Sequence, residues 1–316
     1  MRYLIKTVKI ILAFTILIII VIILLFGHRD ISSDELRAKY TNTASSFISM
    51  NGMDVHYRDE GVGSDSVPIV LIHGTASSLH TFDAWADRLK NSRRVVRMDL
   101  PGFGLTGPFP DRNYSMENYT VFIQNFLIAK EIKQCVLAGN SLGGQIAWNF
   151  ALAQPGMVSK LILIGAAGYP KESKSVPIAF TLAKIPVLSK LLTYITPRFL
   201  VRASVENVYY DKSKVTDSLV ERYFDLTLRE GNRQAFVDRF RMKVNKSAYH
   251  NIKNIQRPTL ILWGAQDLLI PVENAYQFHK HLPNNTLVIL ADIGHTPMEE
   301  SPDKSLESMI DFLKIW

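Results

Sequence analysis

The chain has 316 residues, of which 47% are hydrophobic and 21% charged, a composition that predicts one large or two small globular domains and excludes a largely disordered chain. Its net charge of +7 would suit nucleic acid or an anionic membrane surface, and the sequence carries no nucleic-acid-binding motif, which favours the membrane. The single cysteine, Cys135, lies in an apolar run and cannot form an internal disulfide, so we interpret it as a buried hydrophobe.

Residues 1–27 predict a transmembrane anchor. From Ile10 to Phe26 the chain carries no charge, and with its apolar flanks the run over residues 4–26 is long enough to cross a bilayer core at about 1.5 Å per residue. Residues 27–30 are nearly neutral, whereas three cations precede the run: Arg2, Lys6 and Lys9. The positive-inside rule therefore predicts a cytoplasmic N-terminus and a body on the exported, periplasmic or extracytoplasmic, side.

A cleaved signal peptide and a buried core helix are the two other interpretations of this run. A cleaved signal peptide usually has a shorter apolar region followed by a small-residue cleavage site, and Phe26-Gly27-His28-Arg29 offers no such site. A buried core helix is also disfavoured, because this run is apolar on every face. The sequence therefore favours an uncleaved anchor that ties the protein to a membrane.

The body begins with a predicted β-hairpin, Phe47–Met50 and Met53–Arg58, which Asn51-Gly52 can turn tightly. Segments with helical spacing follow, such as Met116–Glu131 and Leu142–Gln154, and they alternate with short apolar runs. These runs predict strands buried on both faces: Pro68–Ile72, Arg94–Leu100, Cys135–Ala138, Leu161–Gly165, Thr259–Trp263 and Thr286–Leu290. The alternation predicts an α/β fold with a mostly parallel sheet flanked by helices.

The alternation stops between Gly168 and about Asn251, where the chain reads as an inserted helical cap punctuated by prolines. Between Lys171 and Lys246 it holds fifteen Lys and Arg against eight Asp and Glu, which accounts for the basic excess of the chain. The predicted organisation is an anchor at 1–27, a juxtamembrane linker or helix at 28–46, a core formed by 47–168 and 252–316, and a cap, or lid, at 169–251.

The segment Gly139-Asn140-Ser141-Leu142-Gly143 matches the pattern G-x-S-x-G. An apolar run leads into it and a helical segment leads out, which is the strand-turn-helix context that exposes a nucleophilic serine above a sheet. The glycines avoid the Cβ clashes that larger residues would cause in so tight a turn. We therefore predict Ser141 as a nucleophile.

A serine hydroxyl needs a base held beside it, and this turn usually presents its partners in the order Ser, acid, His. Asp267 and His295 each follow a predicted strand end and occur in that order. Two other carboxylates compete for the acid's role, and we interpret Asp292 as a loop residue and Asp99 as a turn-shaping residue near the site. The predicted catalytic residues are Ser141, Asp267 and His295.

The backbone N–H groups of Thr75 and Leu142 are predicted to form an oxyanion hole, with His73 shaping the loop that carries Thr75. His295 would take the proton of Ser141 during attack on an ester carbonyl, Asp267 would orient the imidazole, and water would later hydrolyse the acyl-enzyme. This chemistry requires no metal and no cofactor, and the sequence shows no cluster with metal-ligand spacing.

From about Phe47 to its end the chain resembles the cap-bearing members of the α/β-hydrolase fold family. The resemblance rests on five segments: His73-Gly74-Thr75, Asp99 to Gly104, Gly139 to Gly144, Trp263 to Asp267, and Gly294-His295. With its anchor, the chain is similar to bacterial membrane-anchored lipases and phospholipases A. Serine at position 141 argues against the dehalogenase and epoxide-hydrolase branches, whereas the Gly-Asn-Ser-x-Gly-Gly turn also occurs in carbon–carbon bond hydrolases.

These features predict hydrolysis of a lipid ester, that is, a phospholipid, lysophospholipid or acylglycerol. A bilayer-bound enzyme meets lipid by lateral diffusion, and the apolar cap segment Val176–Val201 carries cations suited to anionic head groups. The alternatives are a small-molecule esterase, a carbon–carbon bond hydrolase, or a non-catalytic binding protein, which the complete triad disfavours. The sequence leaves open the acyl-chain length and whether the chain forms a homodimer.

Overall fold

The apolar runs of the sequence form one mixed sheet in the computed structural model, which describes residues 1–170, 173–242, 245 and 247–315. Eight strands lie in this part of the chain: β1 (Ser45–Met50), β2 (Met53–Gly61), β3 (Ile69–Ile72), β4 (Arg94–Met98), β5 (Cys135–Asn140), β6 (Val158–Ile164), β7 (Thr259–Gly264) and β8 (Asn285–Leu290). Their order in the sheet is β1-β2-β4-β3-β5-β6-β7-β8. β2 pairs antiparallel with β1 and with β4, and every other pair is parallel, which confirms the predicted mostly parallel sheet.

The predicted hairpin is present at the edge of the sheet. Asn51 and Gly52 both have positive φ angles, 53° and 74°, which is the backbone that a tight two-residue turn between antiparallel strands needs. Met50 therefore pairs with Met53, and the register continues to Ser45 opposite Arg58.

Helices cover both faces of the sheet. The helices before the cap are α1 (Arg2–Phe26), α2 (Ser33–Tyr40), α3 (Asp83–Leu89), α4 (Met116–Ala129) and α5 (Leu142–Ala153); those after it are α11 (Glu273–His281), α12 (Pro297–Glu300) and α13 (Pro302–Ile315). One apolar core contains Trp148 of α5 and Phe278 of α11, and the other contains Trp85 of α3 and Phe312 of α13. Alternate residues of the parallel strands contribute to the two cores, which explains their continuous apolar composition.

The inserted segment between β6 and β7 is helical. It contains α6 (Ile178–Leu182), α7 (Pro186–Leu191), α8 (Arg198–Val208), α9 (Asp217–Leu228) and α10 (Asn232–Arg241). The three prolines at 177, 186 and 197 each lie at the start of a helix, where a missing N–H costs nothing. Three lysines that contribute to the excess of Lys and Arg in the cap, at 171, 243 and 246, lie outside the described residues.

The described side chains of α1 before Phe26 are exposed, and Ile5–Phe26 is long and apolar enough to cross a membrane by length and composition, with a mean hydropathy of 3.3. The following segment is not a free linker. Asp30 forms an ion pair of 2.6 Å with Arg233 of the cap, and Lys39 of α2 lies 2.7 Å from Asp225 on α9. Helix α2, whose first turn is capped by the Ser32 hydroxyl, therefore docks on the cap.

Candidate active site

Ser141 occupies a sharp turn between β5 and α5. Its backbone has φ 56° and ψ −112°, an unfavourable conformation for a residue with a side chain, and its N–H donates to Ile164 O at 3.0 Å. A Cβ at Gly139 would lie 2.2 Å from Gly143 O, and a Cβ at Gly143 would lie 2.2 Å from Ile72 O. Only glycine fits at these two positions, so the sequence pattern around the serine is a steric requirement of the turn.

His295 and Asp267, from the loops after β8 and β7, are in direct contact. Nδ1 of His295 lies 2.6 Å from Oδ2 of Asp267, and both side chains are buried. The other carboxylate oxygen of Asp267 accepts the N–H groups of Leu269 at 2.9 Å and Ile270 at 2.8 Å. The carboxylate is thereby fixed in position and fixes the orientation of the imidazole.

The histidine and the serine line one cavity between the sheet and the cap. Nε2 of His295 is buried and accepts or donates no hydrogen bond among the described residues, the hydroxyl of Ser141 included. A buried nitrogen without a partner is costly, and such groups concentrate at sites where a reaction will use them. In ligand-free structures the hydrogen bond between nucleophile and base is often absent and forms with substrate.

The two residues predicted for the oxyanion hole lie beside Ser141. Leu142 is the first residue of α5, directly after the serine, and Thr75 lines the same cavity as Ser141 and His295. The loop comes close to the serine, since a Cβ at Gly74 would lie 3.1 Å from the Cβ of Ser141. Backbone N–H groups of this loop and of the N-terminus of α5 can therefore donate to the same carbonyl oxygen of a bound substrate.

The competing residues have other partners. Asp99 is fully buried against His56 at 2.7 Å and accepts the N–H groups of Leu79 and Leu105. Burial alone would raise the pKa of this carboxyl, but His56 holds the pKa of Asp99 far below its ordinary value, so it is a permanent structural anion. Asp292 is exposed in the loop before His295. Neither carboxylate contacts the imidazole of His295.

His73 serves the loop that it opens. Its Nδ1 donates to Gly74 O at 2.7 Å, and its Nε2 accepts the N–H of Leu100 at 2.9 Å. Complete burial lowers the pKa of His73, which keeps the ring neutral and suits one donating and one accepting nitrogen. Both nitrogens are therefore occupied in shaping the loop, as the sequence predicted.

Two residues that position His295 were not singled out from the sequence. The side-chain amide of Asn140 donates to His295 O at 3.0 Å and to Ile164 O at 3.1 Å, which ties the histidine loop to the serine turn. Glu300, on α12, is buried and accepts three backbone N–H groups: Gly294 at 2.7 Å, Asp211 at 2.8 Å and Tyr210 at 3.1 Å. Asn140 lies within the G-x-S-x-G motif, whereas no local sequence pattern marks Glu300 as a functional residue.

We expect Glu300→Gln to impair catalysis without touching the reacting atoms. A glutamine has one acceptor oxygen and would turn an NH₂ group toward N–H donors, which loosens the histidine loop from the end of α8. A misplaced catalytic group costs about 10- to 100-fold in kcat, and the lost buried hydrogen bonds lower the free energy of unfolding by about 1–3 kcal/mol. Ester turnover and thermal unfolding measure both effects, with the exposed Glu307→Gln as control; wild-type kcat in Glu300→Gln would contradict the role.

The sequence is similar to those of known proteins. A family model described as the alpha/beta hydrolase fold matches residues 67–302. The chain is 27% identical to a 2-hydroxy-6-oxo-2,4-heptadienoate hydrolase of Pseudomonas putida, over 83% of this chain and 93% of that protein. Further relatives, at 25% to 28% identity, carry related dienoate or dienedioate hydrolase names.

Two solved structures are also similar. A candidate lipase of Acinetobacter baumannii AYE has a TM-score of 0.75 and 25% identity, covering 91% of this chain and 97% of its own. A membrane phospholipase A described as a bacterial virulence factor has a TM-score of 0.72 and 23% identity, covering 99% of this chain and 98% of its own. The second similarity is one of fold, and it extends over the N-terminal helix as well as the body.

Proposed function

Since the chain belongs to the alpha/beta hydrolase fold family and is a serine hydrolase, we propose that it is anchored in a membrane and cleaves carboxylic esters of lipids. One observation carries the proposal: the wall of the active-site cavity is bonded to the end of the apolar N-terminal helix. Ile195 and Thr196 line the cavity, and Thr196 N donates to Phe26 O at 3.1 Å. A helix in the bilayer would hold the cavity at the membrane surface.

The lining of the cavity supports an apolar acyl chain as ligand. Most of its described lining residues belong to the cap, and most of those are aliphatic or aromatic, such as Phe180, Leu192 and Leu200; Ser141 and His295 line the same cavity. An apolar cavity with a few convergent polar groups binds a long apolar ligand and orients its polar end. The ester carbonyl would lie at Ser141 and the acyl chain beneath the cap.

The reaction follows from these positions. His295 Nε2 takes the proton of the Ser141 hydroxyl while the oxygen forms a bond to the ester carbonyl carbon. The N–H groups of Thr75 and Leu142 stabilise the oxyanion, and Asp267 stabilises the imidazolium. Collapse expels the alcohol, which receives the proton from His295, and water then attacks the acyl-enzyme with His295 again as base, which releases the carboxylic acid and restores the serine.

A carbon–carbon bond hydrolase is the second candidate, because several relatives carry such names. A dienoate substrate has a carboxylate that would need a cation in the cavity. Of the described lining residues, Arg233 carries the guanidinium, and it is already bound to Asp30 at 2.6 Å and to His28 O at 2.8 Å. This pairing favours a neutral ester end over a free carboxylate.

We expect the purified full-length protein to release fatty acid from phospholipid or acylglycerol vesicles and to hydrolyse p-nitrophenyl esters. A 2-hydroxy-6-oxo-dienoate should be turned over at least about 100-fold more slowly, since one unpaired buried charge costs several kcal/mol. Product release is measured by mass spectrometry for lipids and by absorbance for the other two. Faster turnover of the dienoate than of any ester would contradict the lipid-ester proposal and support the carbon–carbon bond hydrolase.

The proposed anchor has its own test. We expect the protein to stay in the membrane pellet after alkaline carbonate extraction and to retain residues 1–26, as read by intact-mass analysis of the extracted protein. An apolar span of this length inserts stably because every backbone polar group is bonded within the helix. A protein that begins after residue 26, or one released by carbonate, would identify the segment as a signal peptide or a peripheral helix.

A further inference from the structure

The cap carries an exposed surface in which apolar and cationic side chains are mixed. Its apolar members are Ile178, Ile185, Leu191, Tyr194 and Phe199, between 41% and 68% exposed. Its cationic members, also exposed, are Lys184, Lys190 and Arg198. We call these eight residues the cap-edge patch. All eight lie within residues 178–199, and exposed apolar side chains concentrated in one region mark a binding surface.

The charge of this region is entirely positive. From Ser173 to Val205 the sequence holds five Lys and Arg and no Asp or Glu. Arg202 pairs with Glu206 and Asp217, and Arg198 donates to the Asp217 carbonyl oxygen at 3.2 Å. Lys184 and Lys190 have no ion pair among the described residues, and the ammonium of Lys184 lies 6.0 Å from the centroid of the Phe240 ring, so both lysines can still pair with an anionic surface.

The cap-edge patch is continuous with the end of α1. His28 N donates to Tyr194 O at 3.1 Å, and Gly27 bridges to Ile195. The rings of Phe26 and Phe199 meet edge to face with their centroids 5.7 Å apart. Two backbone attachments and a ring contact fix the patch directly beside the point where the apolar helix ends.

The same segment separates the patch from the active-site cavity. Leu192, Ile195 and Leu200 line the cavity, whereas Leu191, Tyr194 and Phe199 are exposed on the outside. One stretch of about nine residues thus has an outer apolar face and an inner apolar face, with Ser141 and His295 lining the same cavity. A lipid that crosses this stretch meets apolar side chains on both sides.

We propose that the cap-edge patch docks on the surface of an anionic bilayer, so that the cap, in addition to α1, is a membrane-binding element and the cavity receives its substrate from that leaflet. The inference rests on the membrane anchoring in the proposed function. Aromatic and aliphatic side chains enter the head-group region, while lysines at its edge pair with phosphate groups.

Fluorescence quenching tests the docking directly. Because Cys135 is the chain's single cysteine and is buried, a cysteine introduced by Leu191→Cys can be labelled with an environment-sensitive dye. The full chain, carrying Ser141→Ala, is reconstituted in vesicles of phosphatidylglycerol and phosphatidylcholine with brominated acyl chains. We expect quenching and a blue shift at position 191, and neither at the control Val121→Cys, an exposed residue of α4. An unquenched dye at 191 in membrane-bound protein overturns the proposal.

Charge reversal tests the role of the lysines. We expect Lys184→Glu with Lys190→Glu to lower lipid turnover in phosphatidylglycerol vesicles at least about tenfold, with unchanged kcat/KM for a soluble short-chain ester. Lys133→Glu with Lys253→Glu makes the same change of net charge at exposed lysines of the core and should leave both rates unchanged. Equal loss in the two double variants, or none in the first, overturns the docking role.

The two levels of inference fail separately. The quenching experiment uses a protein without turnover, so it reports docking even if the wild-type enzyme acts on another ester. Quenching at position 191 without any lipid hydrolysis by the wild type would support docking and refute the lipid substrate. Lipid hydrolysis without quenching would support the proposed function and refute the docking.

Discussion

Ser141→Ala is expected to lower kcat/KM for a p-nitrophenyl ester by about 10⁶-fold, to the level left by the oxyanion hole and binding alone. The hydroxyl is the sole group of the predicted triad that can form the acyl-enzyme, and no other residue of the turn can replace it. Alanine tolerates the positive φ of 56° no worse than serine does, so the fold should persist. Steady-state kinetics, together with thermal unfolding of the same preparation, measures both expectations.

A second serine in the cavity provides the matched control for this variant. Ser204 also lines the cavity, but its hydroxyl donates to Leu200 O at 2.7 Å within α8. A fluorophosphonate probe should label the wild type and Ser204→Ala, and it should not label Ser141→Ala. Labelling of Ser141→Ala at the wild-type rate, or ester turnover near that of the wild type, would exclude Ser141 as the nucleophile.

Much of the site could be predicted because it depends on local rules. The turn around Ser141 needs glycine at 139 and 143 for steric reasons, so a short pattern between a strand and a helix identifies it. Asp267 and His295 each follow the end of a parallel strand, and such ends meet at one edge of the sheet. Their order along the chain and their positions after strands were therefore enough to predict that these two side chains meet.

The contacts that position the site could not be predicted in the same way. Glu300 accepts N–H groups of residues about ninety positions earlier, and Asp30 pairs with Arg233, which is 203 residues away. Single charges at such separations carry no periodicity that would connect them. The docking of Asp30 and helix α2 on the cap is for this reason a finding of the structure, whereas the sequence indicated only a linker or a helix.

Strand boundaries were missed where polar side chains find partners inside the fold. The sequence predicted that the fourth apolar run would begin at Leu161, but β6 begins at Val158. Ser159 donates to Cys135 O at 2.9 Å, and the ammonium of Lys160 donates to Leu313 O at 2.9 Å. These bonds satisfy two polar residues that interrupt the apolar pattern, so the strand extends through them. A further difference is at β4, which ends at Met98, two residues before the predicted end.

The identity of the catalytic acid depends on which carboxylate can hold the imidazole. Asp267 meets Nδ1 of His295 at 2.6 Å and uses its other oxygen for two backbone N–H groups, so its carboxylate is held in the orientation that the imidazole needs. Asp292 is exposed, and Asp99 is occupied by His56 and two amides. The geometry therefore distinguishes three carboxylates that the sequence offered together.

Asp267→Asn is expected to lower kcat by about 10⁴-fold with little change in KM or in thermal stability. The amide is nearly isosteric, but its oxygen and NH₂ cannot serve the two backbone donors and the imidazole equally. When the oxygen faces Leu269 and Ile270, the NH₂ group faces Nδ1 of His295 and forces the imidazole proton onto Nε2. A protonated Nε2 cannot accept the proton of Ser141. Asp292→Asn, measured beside it with the same ester, should behave as the wild type. Loss of activity in Asp292→Asn with retention in Asp267→Asn would reverse the assignment. The carboxylate that sets the tautomer of the histidine must be the one whose removal leaves the proton on the wrong nitrogen.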